Sequence, residues 1–182
     1  MKPILALLAA FLLAGTAAAQ SPNASQEQFT EAFKIFQQAR GGDSGRIEPA
    51  VAAFEALVRA DPKQPLYAAY LGSALGLKAG DAWMPWTRMR YSEQGLDQID
   101  QALAALKPEH DKQLLRGVPV SVETRFVAAI TFVKMPDVIF HRRSTGRKLF
   151  DELLKSPAFA AAPAEFRVAV QRAADAEKAT AQ

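Results

Sequence analysis

The sequence predicts an all-α protein made of antiparallel helical hairpins and closed by a C-terminal capping helix. Three observations lead there. Apolar residues recur at three- and four-residue intervals almost everywhere, the spacing that gathers them on one face of a helix. Alanine is abundant and β-branched runs are few, a composition that favours helix over strand. Glycines and prolines fall at intervals that cut the chain into helix-length pieces, and no strand signal of convincing length appears.

The elements follow in order. Phe29, Phe33 and Phe36 fall at i, i+4 and i+7 behind Ser25, a cap residue with Gln28 three positions on. Gly41-Gly42-Asp43-Ser44-Gly45 breaks that helix. Ile47, Val51, Phe54 and Val58 form the next stripe, with Pro49 tolerated in its first turn and Asp61-Pro62 as the stop. A third helix fits residues 65–78, with Tyr67, Leu71, Ala74 and Leu75 turned inward. A fourth carries Leu96, Ile99, Leu103 and Leu106 and stops before Pro108. After a polar link over 109–116, Val122, Phe126, Ala129 and Val133 make the cleanest stripe in the chain, closed by Met135-Pro136. Leu149, Phe150, Leu153 and Leu154 mark a helix running to about residue 155, and Ser156-Pro157 caps a short turn. Pro163 opens the last helix, whose only large inward residues are Phe166 and Val170, as suits the cap of a helical stack.

The N-terminal residues give an expected address. Lys2, an uncharged apolar run over 4–13 and the small residues Ala17-Ala18-Ala19 before Gln20 have the layout of a cleaved signal peptide, residues 1–19. The apolar run falls well short of the about 20 residues that span a bilayer. The expectation is an exported protein, periplasmic in a Gram-negative source, with one helical domain over 25–180 and no transmembrane span after processing. Removing Lys2 with the leader lowers the formal charge of +3 to +2, too near neutral to indicate nucleic-acid binding. The chain has no cysteine, which excludes disulfides, thiol catalysis and thiolate metal sites together.

Three helices share a small-x-x-x-large-x-x-apolar pattern: Ala50, Phe54, Leu57; Gly95, Ile99, Ala102; and Gly146, Phe150, Leu153. The small residue lets a partner helix approach and the large one fills the gap beside it. Pro62, Pro108 and Pro157 then end each helix before the chain turns back. On these residues the chain resembles the tetratricopeptide repeat (TPR). Residues 50–57 with Asp61-Pro62 look like the second helix of such a unit, Leu71-Gly72 like the leucine-glycine pair of the next first helix, and Gly45 sits at the intra-repeat turn. The resemblance covers about residues 30–157 and implies a short right-handed TPR-like stack that recognises a protein or peptide. The chain departs from the pattern in several places. The repeated positions lie 45 and 51 residues apart where the family uses about 34, the first-helix tryptophan is absent, and Gln37-Gln38 replace the first leucine-glycine. An irregular bundle of helical hairpins is the alternative.

Two stretches carry the extra length. The first, residues 81–91, reads as an inserted loop holding both tryptophans, Trp83 and Trp86, with Arg88, Arg90 and Tyr91. Tryptophan, tyrosine and arginine dominate binding hot spots, whereas a structural reading folds the indoles back as a plug. The second, residues 134–145, brings His141, Arg142 and Arg143 beside Arg147 and Lys148. A solvated basic helix start is the bland reading of that cluster. If the hairpins stack in register, Trp83, Trp86, Arg88, Arg90 and Tyr91 share a partner-binding surface with Arg142, Arg143 and Arg147.

Catalytic chemistry finds no purchase. His110 and His141 have no ligand partner at a useful interval and read as surface residues. Glu48, Glu55, Glu93, Glu123 and Glu152 read as isolated carboxylates on helix surfaces, and no nucleophile elbow or phosphate loop is present. The expectation is a non-catalytic adaptor for a protein or peptide partner in the envelope, without cofactor or metal and without nucleic-acid binding. The rival reading is a binding protein for a small anionic or amphipathic ligand held between the two insertions.

Overall fold

The computed structural model describes residues 22–180. The expected signal peptide, residues 1–19, lies outside them. The fold is all-α: α1 (Pro22–Arg40), α2 (Ile47–Ala60), α3 (Pro65–Asp81), α4 (Pro85–Ala104), α5 (Val120–Lys134), α6 (Asp137–Phe140), α7 (Arg143–Lys155), α8 (Pro157–Ala160) and α9 (Ala164–Ala179). One ribbon interrupts it, β1 (Leu114–Leu115) against β2 (Val118–Pro119), antiparallel with Leu115 opposite Val118. The sequence pattern predicts no strand there. Its signal is only two residues a side about Arg116-Gly117, whose φ values of 51° and 78° make the tight turn such a ribbon needs.

The helices pack in pairs, α1 with α2, α3 with α4 and α5 with α7, while α3 joins α2 to α5 and α9 lies on α7 and α5. Between α3 and α4 the register is plain. A Cβ on Gly72 would lie 2.4 Å from the Gly95 carbonyl oxygen and 3.2 Å from the Ile99 nitrogen, whereas a Cβ on Gly95 would lie 3.4 Å from the Gly76 nitrogen. Higher numbers on α3 face lower numbers on α4, so the two run antiparallel, in backbone contact that only glycine permits.

All three pattern triplets are buried: Ala50, Phe54 and Leu57 in α2, Gly95, Ile99 and Ala102 in α4, Gly146, Phe150 and Leu153 in α7. Six aromatic rings, Phe29, Phe33, Phe36, Phe54, Tyr67 and Tyr70, knit α1, α2 and α3 together. A second cluster around Val122, Phe150, Leu153 and Val170 joins α5, α7 and α9.

Several local expectations are corrected. Among the described residues α1 already includes Pro22, so Ser25 lies inside the helix and not at its cap. Residues 85–91 are not a loop. Pro85 opens α4 at a position that needs no N–H, and the next two turns hold no breaker, so the extra length lengthens α4. Leu106 falls beyond the end of that helix. His110 is buried, its Nδ1 accepting the Lys107 backbone N–H at 2.9 Å. Glu123 is no surface carboxylate. Neighbouring elements cover α5 on most of its circumference and take the glutamate inside with it.

Candidate functional site

The tryptophans stand at the end of the α3–α4 hairpin. Trp83 in the link is 74% exposed and Trp86 in the first turn of α4 is 67% exposed, with Met89 one turn on and also exposed. They are not a plug. Arg88 Nη2 donates to the Ala82 carbonyl at 3.0 Å, a bond from α4 back to the link. Tyr91 is half-buried, with Lys78 Nζ 4.4 Å and the Arg90 guanidinium 5.0 Å from its ring centre. The nearby Lys78 ammonium, helped by Arg90, pulls the Tyr91 hydroxyl below its ordinary pKa. Lys78 in turn bridges to Glu48 of α2 at 2.7 Å.

The arginines of the second stretch point elsewhere. Arg142 pairs with both carboxylate oxygens of Asp100. Asp100 lies fourteen residues beyond Trp86 on α4, about 21 Å along the axis at ~1.5 Å per residue. Arg147 holds Glu177 of α9 at 2.9 Å, and Arg143 approaches the same carboxylate at 3.7 Å while its Nη2 donates to the Val133 carbonyl. The structure therefore brings Trp83, Trp86 and Arg90 together but does not bring Arg142, Arg143 and Arg147 to them. Those three arginines anchor the α5–α7 link to α4 and the last helix to α7. The unfavourable basic start of α7 has its reason in Glu177.

A groove that the sequence reading missed lies elsewhere, between α1, α3, α5 and α9, with a volume of about 650 Å³. Phe33, Phe36, Phe126, Ile130 and Phe166 line it, and Arg40 and Arg172 stand exposed at its edge. Its inner wall holds Glu123, 1% exposed. The Tyr70 hydroxyl donates to Glu123 Oε1 at 2.5 Å, and Arg116 pairs with the same oxygen. Arg116 sits at the left-handed turn position with its guanidinium 3.5 Å from the Phe33 ring centre. The ion pair and the stacking on Phe33 offset a backbone conformation that costs a non-glycine residue about 1–2 kcal/mol. Among the described residues, Glu123 Oε2 and Arg116 Nε have no hydrogen-bond partner.

Burial raises the Glu123 pKa, and the pull of Arg116 and Tyr70 only partly opposes it. Burial, with the neighbouring carboxylate, also pushes the Tyr70 hydroxyl well above its usual value. A raised carboxyl pKa means that the folded state holds the proton more tightly than the unfolded chain. The Glu123 contribution is therefore fully present below the ordinary glutamate range and is lost as pH rises through the raised value. Across that window the parent should lose stability relative to Glu123→Gln in denaturant titrations. Parallel pH profiles for the two proteins would show that Glu123 does not titrate there.

Comparison with known proteins gives no match: no protein-family model, curated protein or solved structure is significantly similar to the chain. Among the described residues no helix is long and apolar enough to cross a membrane, and no three metal-ligating side chains gather.

Proposed function

We propose that the chain is an exported, non-catalytic adaptor of the cell envelope, a divergent TPR-like right-handed stack that docks a protein partner on the end of its second hairpin. The observation that carries this reading is the exposure of Trp83 and Trp86 side by side, with Arg88 bonded back to the link between them and α3. Two indoles held in water hide no apolar surface of their own fold, and large rigid aromatics beside arginine are the side chains that supply most energy at interfaces. Arg90, exposed one turn from Trp86, adds a fork for a partner carboxylate. The pattern triplets and paired helices support the TPR-like stack, and the leader-like N-terminus supports export.

The test compares the mature protein with Trp83→Ala/Trp86→Ala in cross-linked capture from the envelope fraction. Trp86→Ala alone should weaken binding of the captured partner by more than about 1 kcal/mol with little change in melting temperature. Arg142→Ala should do the opposite, lowering stability through the loss of Asp100 and leaving binding intact. Equal capture by parent and double variant would overturn the reading.

A further inference from the structure

We propose that the groove between α1, α3, α5 and α9 binds a single-chain amphipathic carboxylate, its alkyl chain on the phenylalanines and its head group between Arg40 and Arg172. The inference does not rest on the adaptor reading, since the groove and the tryptophan face share no residue.

Volume comes first. About 650 Å³ lies within the roughly 300–1,000 Å³ of small-molecule sites. Apart from Arg116, Val118 and Pro163 the walls are helical, so most of their backbone N–H and C=O groups are already bonded along the helices and are not free to pair with an extended peptide. What the walls do offer is hydrocarbon: Phe33 and Phe36 from α1, Phe126 and Ile130 from α5, Phe166 from α9. Phe33, Phe126, Ile130 and Phe166 pack against the cores yet stay half-buried, and all four line this space.

Charge selects the head group. Among the described residues, neither Arg40 nor Arg172 takes part in an ion pair, whereas Arg142 and Arg147 are both spent on carboxylates. Glu165 also lines the groove, but it lies two turns from Arg172 on α9, roughly 10 Å along the axis. On the inner wall the Glu123 charge is balanced by Arg116. The remaining excess at the edge is positive, and arginine suits a planar carboxylate.

Dodecanoate below its micellar concentration serves as the probe, titrated calorimetrically into the mature protein, with dodecanol and dodecyltrimethylammonium as neutral and cationic counterparts. Dodecanoate should bind one to one, and Arg40→Gln/Arg172→Gln should weaken it by about tenfold or more while dodecanol binding stays unchanged. Both arginines are exposed, so the double variant should fold. Ala169→Trp, at another exposed position lining the groove, should block dodecanoate and dodecanol alike. The proposal is overturned if dodecanoate does not bind, if the cationic probe binds as well, or if the arginine variant binds like the parent. A protein that sediments as a dimer and becomes monomeric on Ala169→Trp would also overturn it, because a second copy would then be what covers the groove.

Discussion

Phe54→Ala should cost about 3–5 kcal/mol of folding stability, read from chemical denaturation of the parent and the variant. The ring has 0% exposure and is held from three sides. It stacks on Tyr70 at 5.1 Å with 12° between planes, and meets Phe29 and Phe36 edge-on at 6.3 and 6.1 Å. These neighbours belong to α1 and α3, so the cavity left by truncation opens where three helices meet. Rigid backbones on each side limit collapse into it. Phe126→Ala gives the contrast. Its periodic position predicts an equally buried ring, yet Phe126 is half-buried, with one face on the groove. It should therefore cost clearly less than Phe54→Ala. Equal losses would mean that the groove is closed in solution.

That contrast shows what periodicity does and does not carry. The three triplets on α2, α4 and α7 were legible because a helix packed on one side repeats its burial every three to four residues. Gly95 and Gly146 were legible for the same reason, being small residues at the positions where another helix must come close. Helix α5 breaks the rule. It is covered on most sides, so inward and outward positions no longer separate, and Phe126 and Glu123 exchanged the environments expected of them. A buried glutamate needs its partners, and these are Tyr70, 53 positions earlier, and Arg116, on a left-handed turn of two residues. Neither leaves a periodic trace. The groove escaped for a related reason. It is closed by α1 and α9, from opposite ends of the chain, whose meeting depends on how the hairpins stack.

The candidate docking face was half legible. Composition alone picked out Trp83 and Trp86, because two tryptophans with arginines in one short stretch are unusual for a connector. It failed for Arg142, Arg143 and Arg147. Their carboxylate partners, Asp100 and Glu177, sit on helices 42 and 30 residues distant in sequence. Local positive charge is visible in a sequence, but its neutralisation across helices is not.

Gly72→Ala should destabilise by about 3 kcal/mol, the upper end for an overpacked site, while Gly80→Ala on the same helix should stabilise by up to about 1 kcal/mol. In an open helix the exchange of glycine for alanine is favourable, because alanine loses less backbone entropy on folding. Among the described residues nothing beyond the helix's own backbone lies within 4 Å of a Cβ built on exposed Gly80, so packing should not oppose that gain. At Gly72 the same methyl would lie 2.4 Å from the Gly95 carbonyl oxygen and 2.6 Å from Ile99 Cγ1. The isoleucine can rotate, but a backbone oxygen cannot move unless α4 moves with it. Separating α3 from α4 pulls Ile99 and Leu96 out of contact and lifts the backbone that carries Trp86. Because Gly95 faces back at 2.7 Å, Gly95→Ala should cost a similar amount. The two substitutions together should cost less than the sum of the single losses, since the first already opens the helix pair. Thermal unfolding of the four proteins checks this at roughly 2–4 °C per kcal/mol for a chain of this size. A Gly72→Ala protein as stable as Gly80→Ala would mean that α3 and α4 do not pack glycine on glycine, and the antiparallel register derived from that contact would fall with it.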